Sequence, residues 1–239
     1  MERLRAAPES VRTLYIEQGT DASDVVREAK RVGLRFVSVP KADFARQVGK
    51  VHAQGVFAEV EEFRYAGLET LLQKSSDRPV LFFLDRITDP QNLGNILRTA
   101  ACFGGIALIL PKHDSAEVNE TVLRVACGGE NYAPVARVTN LATACEQAKG
   151  AGYWIAAAAA EGGTPLPGAD LPFPIGFLLG SEGEGLRPGL AKHTDLSVTL
   201  PMPGAGLSFN VATAAALIAY EVTCRRKEPE KCRKEKTKS

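Results

Sequence analysis

From Pro79 to about residue 224, near-continuous apolar runs alternate with segments of helical periodicity. The runs are VLFFLD (80–85), IALIL (106–110), APVARV (133–138), YWIAAAAA (153–160), IGFLLG (175–180) and LSVTL (196–200). A strand that is apolar on both faces needs cover on both sides, as in a parallel sheet that lies between two layers of helices. The sequence therefore predicts a doubly wound α/β domain over residues 79–224.

A smaller α/β unit precedes this domain. Three β-rich runs alternate with two helical segments in the order 11–17, 21–33, 35–40, 41–49 and 55–62. The helical segments repeat apolar residues at helical spacing, and the first of them opens with Asp and Ser, which cap helices well. We therefore predict a β-α-β-α-β arrangement in about 60 residues.

The boundary between the two domains is set by residues 68–79, which begin as a short helix and break down into polar residues and a proline. We predict a first domain over residues 1–72 and a linker over 73–78. The last segment, 225–239, has eight basic and three acidic residues and a local charge of +5. We predict it to be a basic tail, either simply solvated or attracted to phosphates.

The pattern of cysteines and the lack of long apolar stretches argue against metal-binding, disulfide-rich and membrane proteins. The five cysteines form no C-x-x-C pair, and the three histidines are scattered, so we predict neither a metal site nor a disulfide framework. The N-terminal MERLRAAPES is charged from its second residue, and no run of about 18 apolar residues occurs. We therefore expect a cytoplasmic protein with no membrane partner.

The loop 85–105 leaves the first apolar run, turns at Asp89-Pro90 and enters a helix near Asn92. One side of this helix carries an apolar stripe that consists of Leu93, Ile96, Leu97, Ala100 and Phe103. Asn95 and Arg98 point the opposite way. On these residues alone, Asn92 can be a helix cap and Arg98 a surface charge, or both can serve a polar site.

The loop 180–188, GSEGEGLRP, follows the fifth apolar run and contains three glycines around Glu182. Glycines let a backbone approach a ligand closely or take turns with positive φ. The spacing G-x-x-G-x-G differs from the dinucleotide fingerprint, and the chain contains no G-x-x-x-x-G-K-[ST]. A glycine turn without a ligand remains the alternative.

The stretch 200–221, LPMPGAGLSFNVATAAALIAYE, places a Pro/Gly loop before an apolar helix. Ser208 is a natural N-cap for that helix. Because the helix has almost no polar face, we expect it to be buried on most sides, either in the core or against another subunit.

In order and spacing, D-P-x-N-L-G-x-I-L-R-T-A, L-L-G-S-E-G-x-G-L and L-P-M-x-G-x-x-S-F-N-V-A-x-A resemble the three motifs of the SpoU (TrmH-like) family of the SPOUT superfamily. These enzymes are S-adenosyl-L-methionine (AdoMet)-dependent RNA 2′-O-ribose methyltransferases. The resemblance implies a C-terminal α/β-knot domain, a deep trefoil knot in which the C-terminal chain threads through a loop of the parallel sheet. It also implies a homodimer whose sites form near the subunit interface.

The resemblance also assigns residues to roles. The AdoMet pocket would be formed by Gly180, Ser181, Glu182, Gly183, Leu200, Pro201, Met202, Leu207, Phe209 and Asn210. The catalytic residues would be Asn92, Arg98, Glu182, Ser208 and Asn210.

The N-terminal domain adds an RNA partner. A subset of the family has a small ribosomal-protein-like α/β RNA-binding domain in front, and H-x-Q-G-V-F-A-E-V (52–60) is similar to its HQG stretch in the RlmB-type 23S rRNA guanosine methyltransferases. The chain departs from those relatives at its start, where their G-x-N/H-x-V-x-E-A-L segment is shortened. The resemblance favours rRNA over tRNA. The basic residues available for RNA are Arg27, Lys30, Arg31, Arg35, Lys41, Arg46 and Lys50.

Methyl transfer to a ribose 2′-OH requires that the hydroxyl lose a proton as it attacks. A guanidinium keeps its proton in proteins, so we expect Arg98 to orient the hydroxyl or its phosphate and to stabilise negative charge. Glu182 could hold Arg98 by a bidentate contact. No metal is required, because the leaving group is already cationic.

Three other functions account for parts of the sequence. The nearest is a tRNA 2′-O-ribose methyltransferase. A non-enzymatic RNA-binding module would explain the small domain and the basic tail. It would not explain the three motif loops, because RNA binding alone does not require residues that bind AdoMet. A Rossmann methyltransferase or dehydrogenase is disfavoured because DRITDPQNLG lacks the glycine fingerprint.

Overall fold

The computed structural model of the chain describes residues 1–49, 53–73, 78–181, 183–204 and 206–227. The chain divides into two compact units, Met1–Arg64 and Tyr65–Ser239. Residues 65–72, which the sequence assigned to the first domain, lie in the second unit, where Ala66 N donates to Val135 O at 2.8 Å. None of the helices within the described residues has the length and apolarity that a membrane span requires.

The first unit is built on a three-stranded sheet. Its elements are α1 (Glu2–Ala6), β1 (Val11–Glu17), α2 (Ser23–Arg31), β2 (Phe36–Val39), α3 (Lys41–Val48) and β3 (Val56–Val60). β1 lies in the centre, parallel to β2 and antiparallel to β3. The predicted β-α-β-α-β order is confirmed over these elements, which follow a short additional helix, α1. Lys50 and His52 lie outside the described residues.

The second unit contains a parallel sheet of seven strands. They are β4 (Val80–Leu84), β5 (Ile106–Pro111), β6 (Val135–Val138), β7 (Trp154–Ala159), β8 (Thr164–Pro165), β9 (Ile175–Leu179) and β10 (Leu196–Thr199). Their order across the sheet is β6-β5-β4-β9-β7-β10-β8, and all paired strands are parallel. Each of the six predicted runs contains one strand. β8 was missed, because two residues that include a proline give no apolar signal.

Helices cover both faces of this sheet. They are α4 (Leu68–Leu72), α5 (Pro90–Phe103), α6 (Glu120–Ala126), α7 (Leu141–Gly150), α8 (Pro188–Ala191) and α9 (Val211–Lys227). Leu81 and Phe83 of β4 share one buried core with Cys145 of α7 and Leu190 of α8. Alternate side chains such as Phe82 point to the opposite face. β9, the middle strand, and its neighbour β4 are buried along their whole length, as expected for strands covered on both sides.

α5 and α9 pack against each other. The stripe predicted for α5 is confirmed, since Leu93, Ile96, Leu97 and Ala100 are buried and Asn95 and Arg98 are exposed, although Phe103 is only half-buried. Gly94 allows α6 to approach, because a Cβ there would lie 2.6 Å from Val125 Cβ. Two arginines anchor the end of α9 to loops of the second unit.

The first of these anchors, Arg226, donates to Arg78 O, Gly104 O and Gly105 O at 2.9, 2.7 and 2.6 Å. Burial lowers the pKa of Arg226 from its usual range. The second anchor, Arg225, donates to Leu166 O and Ala169 O, each at 2.5 Å. The first residues of the predicted basic tail therefore belong to α9, and residues 228–239 lie outside the described residues.

Candidate active site

A cavity of about 300 Å³ lies at the carboxyl ends of β7, β9 and β10. Its walls come chiefly from residues 158–160 at the end of β7, 179–181 and 183–185 after β9, 198–200 and 202 at the end of β10, and 208, 209, 211, 214 and 218 around the start of α9. In open parallel sheets, ligands bind beyond the carboxyl ends of the strands. The second and third predicted motif loops therefore meet at one ligand-sized cavity.

Most of the predicted cofactor residues lie on this cavity. It is lined by Gly180, Ser181, Gly183, Leu200, Met202 and Phe209, and Ser208 of the predicted catalytic set also lines it. Pro201, Leu207 and Asn210 are not among the described residues that form its walls. Glu182 lies outside the described residues. Gly185, one of the three glycines noted in the sequence, also lines the cavity, whereas Glu184 and the apolar wall that includes Leu166, Val198 and Ile218 were not predicted.

The glycine loop, which we define as residues 180–187, folds back on itself. Gly185 N donates to Ser181 O at 3.0 Å, and the two residues form an isolated antiparallel bridge. A Cβ at Gly180 would lie 2.3 Å from Gly185 C, so the two arms are in backbone contact there. Gly183 and Gly185 have φ values of 88° and 65°, which favour glycine. Loop geometry therefore requires glycine at three of its positions.

Two residues directly after β4 bind the glycine loop, and neither was predicted from the sequence. Asp85 is fully buried, and its carboxylate accepts from Arg187 N at 3.0 Å and from Arg187 Nε at 2.7 Å. Arg86 has a φ of 58° and pairs through Nη1 with the Glu184 carboxylate, while its Nη2 donates to Gly185 O at 3.1 Å. A charged residue that ends a fully apolar strand is the signal that could have identified Asp85.

The first and third motifs are joined by a hydrogen bond between predicted catalytic residues. Asn210 Nδ2 donates to Asn92 Oδ1 at 2.9 Å. The Oδ1 of Asn210 accepts from Ala212 N at 2.9 Å and from Thr213 N at 3.4 Å. Asn210 therefore caps α9, and the expectation that Ser208 caps it was wrong. Ser208 precedes the helix and faces the cavity instead.

The start of α5 is capped by Asp89, whose side chain accepts from Gln91 N at 2.9 Å. The reading of Asn92 as a helix cap is therefore replaced by its contact with Asn210. Arg98 lies six residues later on the exposed side of α5, and its Nη1 is 3.5 Å from Cys127 Sγ. Six residues correspond to about 9 Å along the helix axis, so Arg98 lies well away from Asn92 within one copy of the chain.

An apolar surface remains exposed around the start and outer side of α9. We define it by Leu207, Phe209, Leu217 and Tyr220, which are 76%, 41%, 38% and 58% exposed. The opposite side of α9 is buried through Ala215, Ile218, Ala219 and Val222. Part of the expected burial of this helix is thus provided by the core.

No group of three or more potential metal ligands occurs within the part of the chain that the structure describes.

Two family models match the sequence, and between them they span both units. The SpoU rRNA Methylase family matches residues 79–220. The family described as RNA 2′-O ribose methyltransferase substrate binding matches residues 1–66.

Curated relatives match the chain over different shares of their own length. The chain is 38% identical over 227 residues to the 23S rRNA (guanosine-2′-O-)-methyltransferase RlmB of Pseudomonas aeruginosa, which covers 92% of this chain and 90% of that protein. It is 44% identical over 172 residues to an uncharacterized tRNA/rRNA methyltransferase of Synechocystis sp., but it spans only 45% of that relative's length.

The fold resembles that of a solved AdoMet complex. The SpoU methyltransferase AviRb from Streptomyces viridochromogenes, determined with AdoMet, superposes with a TM-score of 0.75 at 25% identity. The match covers 95% of this chain and 88% of AviRb. The likeness therefore extends over the whole arrangement of sheet and helices that forms the cavity.

Proposed function

This chain belongs to the SpoU rRNA methylase family, and from that premise we propose that it methylates the ribose 2′-OH of a guanosine in 23S rRNA. Family membership makes it an AdoMet-dependent RNA 2′-O-ribose methyltransferase with the SPOUT fold. The family, fold, enzyme class and cofactor predicted from the three motifs are thereby confirmed. The family match over the catalytic unit is the observation that carries the proposal, and the RlmB relative supports the choice of substrate.

The cavity at the carboxyl ends of the strands is where we place AdoMet. Its volume, about 300 Å³, lies at the lower end of the range of small-molecule sites, which are mostly apolar with a few polar groups. Leu179, Val198 and Ile218 offer apolar surface for a purine, and Ser181 and Ser208 offer hydroxyls. Bound AdoMet would supply a methyl group on a cationic sulfur, which is reactive without a metal.

We assign the remaining catalytic residues to orientation and charge stabilisation. The hydrogen bond from Asn210 to Asn92 fixes the N-terminus of α9 against the start of α5. Ser208, two residues before Asn210, is thereby held on the cavity wall. Arg98 would orient the 2′-OH or its phosphate, since a guanidinium binds oxyanions through paired donors and keeps its proton. The role of Glu182 as a partner of Arg98 stays a prediction.

The exposed position of Arg98 and the apolar surface support a homodimer. Four apolar side chains lie together around α9, and monomers rarely leave large apolar patches uncovered. A second copy would cover this surface and bring further groups to the site. Leu217→Arg should give a monomer by light scattering after size exclusion, and Trp154→Arg, which changes an exposed side chain on β7, should not. A wild-type monomer at micromolar concentration would rule the dimer out.

RNA recognition would combine both units. Within the first unit, Arg27, Arg31 and Arg46 form exposed ion pairs with acids three residues before them, and such pairs are weak enough to be exchanged for phosphates. Because the proposed substrate is ribosomal RNA, we also propose that the enzyme acts in the cytoplasm.

The deciding experiment uses tritiated methyl-AdoMet with unmodified 23S rRNA and with bulk tRNA, and it maps the label by reverse-transcription stops at low dNTP. We expect label on one guanosine ribose of 23S rRNA. We also expect Arg98→Ala to reduce turnover at least about 100-fold, within the range that positioned catalytic groups contribute, while AdoMet affinity is unchanged. Label on tRNA alone would overturn the substrate, and wild-type turnover of Arg98→Ala would overturn the role of Arg98.

A further inference from the structure

Asp85 is a fully buried carboxylate that the proposed chemistry does not use. It follows the last residue of β4, and its own N–H donates to Leu179 O at 2.8 Å, which continues the pairing of β4 with β9. Its position is therefore fixed by β4 and β9. Burial of a carboxylate is costly unless the charge is paired and hydrogen-bonded.

Arg187, the last residue of the glycine loop, pairs with the Asp85 carboxylate and donates hydrogen bonds to it. Arg187 contacts it three times, through N at 3.0 Å, Nε at 2.7 Å and Nη2 at 2.5 Å. Both the backbone and the side chain of Arg187 are thus bound, which fixes the position and the direction of the chain at the end of the loop. Charge-assisted bonds of this kind are stronger than neutral ones and geometrically specific.

Arg86 binds the tip of the same loop. Its Nε lies 3.8 Å from Asp85 Oδ2, and its two terminal nitrogens reach the Glu184 carboxylate and Gly185 O. The φ of Arg86, 58°, is one that non-glycine residues rarely adopt, so its surroundings must hold it there. Asp85 and Arg86 together fasten the tip and the end of the glycine loop to the sheet.

The fastened loop is the one that forms a wall of the proposed AdoMet cavity. Gly183, Glu184 and Gly185 all line it. A loop that must order itself when a ligand binds lowers the affinity, because only the ordered fraction of the protein is competent to bind. Contacts that hold the loop in place beforehand therefore raise affinity without touching the reacting atoms.

We propose that Asp85, Arg86 and Arg187 are positioning residues that hold the glycine loop in its cofactor-binding conformation and thereby set the affinity for AdoMet. The inference rests on the proposed function only in that AdoMet occupies the cavity. Asn92 and Arg98 lie on a different element, α5, whereas Glu182, the predicted partner of Arg98, lies within the loop. Loss of this positioning therefore raises the KM for AdoMet by a larger factor than it lowers kcat at saturating AdoMet. A merely structural role would reduce the active fraction and lower kcat without changing the KM.

The test compares Asp85→Asn, Arg187→Ala and Arg187→Lys with the wild type. Asp85→Asn keeps the shape but removes the charge, and Arg187→Lys keeps the charge but removes the paired nitrogens. We expect the Kd for AdoMet, measured by calorimetry, to rise about tenfold or more in Asp85→Asn and Arg187→Ala, as preorganisation is lost, and less in Arg187→Lys. The KM for RNA should be unchanged. Arg137→Ala is the matched control, because Arg137 also combines an ion pair, with Glu117, and a bond to a backbone oxygen, Lys112 O, but contacts no part of the glycine loop.

Glu184→Gln is included because a variant with a substitution at the buried Asp85 could fail to fold. The Glu184 side chain is 73% exposed, so this variant should fold, and it loses the charge that pairs with Arg86. Because Glu184 also lines the cavity, a rise in the Kd supports the inference only if the loop amides exchange faster as well. Hydrogen exchange of the loop amides in the absence of cofactor should accelerate in the folded variants and not in Arg137→Ala. Unchanged exchange together with unchanged AdoMet affinity would overturn the inference. If the wild type itself bound no AdoMet, the proposed function would fail, while loop exchange would still decide whether these residues position the loop.

Discussion

Replacement of Gly180 by alanine tests whether the closed form of the glycine loop is what binds the cofactor. The added Cβ would lie 2.3 Å from Gly185 C, 2.4 Å from Gly185 O and 2.6 Å from Leu186 N. All three are backbone atoms, which cannot rotate away as a side chain can. Ordinary contact begins at 3.4 Å, so one arm of the loop must move by about 1 Å.

That movement acts on contacts that close the loop. The bond from Gly185 N to Ser181 O, 3.0 Å long, and the bond from Arg86 Nη2 to Gly185 O, 3.1 Å long, both end on Gly185. Forcing extra volume into a packed site costs about 1–3 kcal/mol. Since about 1.4 kcal/mol corresponds to a tenfold change in affinity, AdoMet should bind about 5–150-fold more weakly. A chain of this length should lose only about 2–4 °C in Tm for each kcal/mol.

Calorimetric titration with AdoMet, paired with thermal unfolding, measures both effects. Gly189→Ala is the control, since a Cβ there meets no atom within 4 Å and its φ is not positive. We expect Gly189→Ala to bind AdoMet as the wild type does. Wild-type affinity in Gly180→Ala would refute the reasoning, because the loop could then rearrange without effect on the cofactor.

Three further predictions concern single side chains. Asn210→Asp keeps the oxygen that caps α9 but loses the donor to Asn92, so turnover should fall while the urea midpoint changes little. Asn210→Ala also loses the cap, so its free energy of unfolding should fall by about 1 kcal/mol. Arg226→Ala should lower the free energy of unfolding by about 2–3 kcal/mol, because three backbone oxygens lose a donor worth about 1 kcal/mol each. Burial raises the pKa of the Cys145 thiol from 9.0 to about 12, so at pH 9–10 iodoacetamide should alkylate the exposed Cys102 and spare Cys145 until the protein unfolds.

The pH dependence of Cys145 has a definite sign. Its raised pKa contributes stability in full below pH 9.0, and that contribution is lost as the pH rises towards about 12, because the unfolded thiol ionises first. Alkylation of native Cys145 at the rate of Cys102 would contradict its burial. For Asn210, equal turnover of the Asp variant and the wild type would show that the amide donor is dispensable. Equal urea midpoints for Arg226→Ala and the wild type would show that water replaces the guanidinium.

Strand prediction from the sequence succeeded where burial on both faces left a continuous apolar run. β4 and β9 are the clearest cases, since every residue of each is buried. β8 was missed because its pairing with β10 involves only two residues, Thr164 and Pro165, and a proline argues against a strand. Cap prediction failed at α9 because Ser208 and Asn210 are both good N-cap residues, and local preference does not choose between them.

The predicted site was assembled only in part by the described residues. Asn92 and Asn210 meet although 118 positions separate them, and Ser208 lies on the cavity, whereas Arg98 contacts neither asparagine. The motifs named these residues through resemblance, which carries identities but no distances. Asp85 and Arg187, 102 positions apart, resemble ordinary charges beside a strand and a turn, so nothing local marked them as a pair.

The sequence by itself determined the parallel sheet, the order of its elements and the family, because apolar periodicity and motif residues are properties of short stretches of chain. The tertiary structure alone decided which loops meet. β9 pairs with β4 across the middle of the sheet, and only that order brings the glycine loop onto Asp85 and Arg86. Strand order depends on contacts between distant parts of the chain, and a buried charge finds its partner only after those contacts have formed.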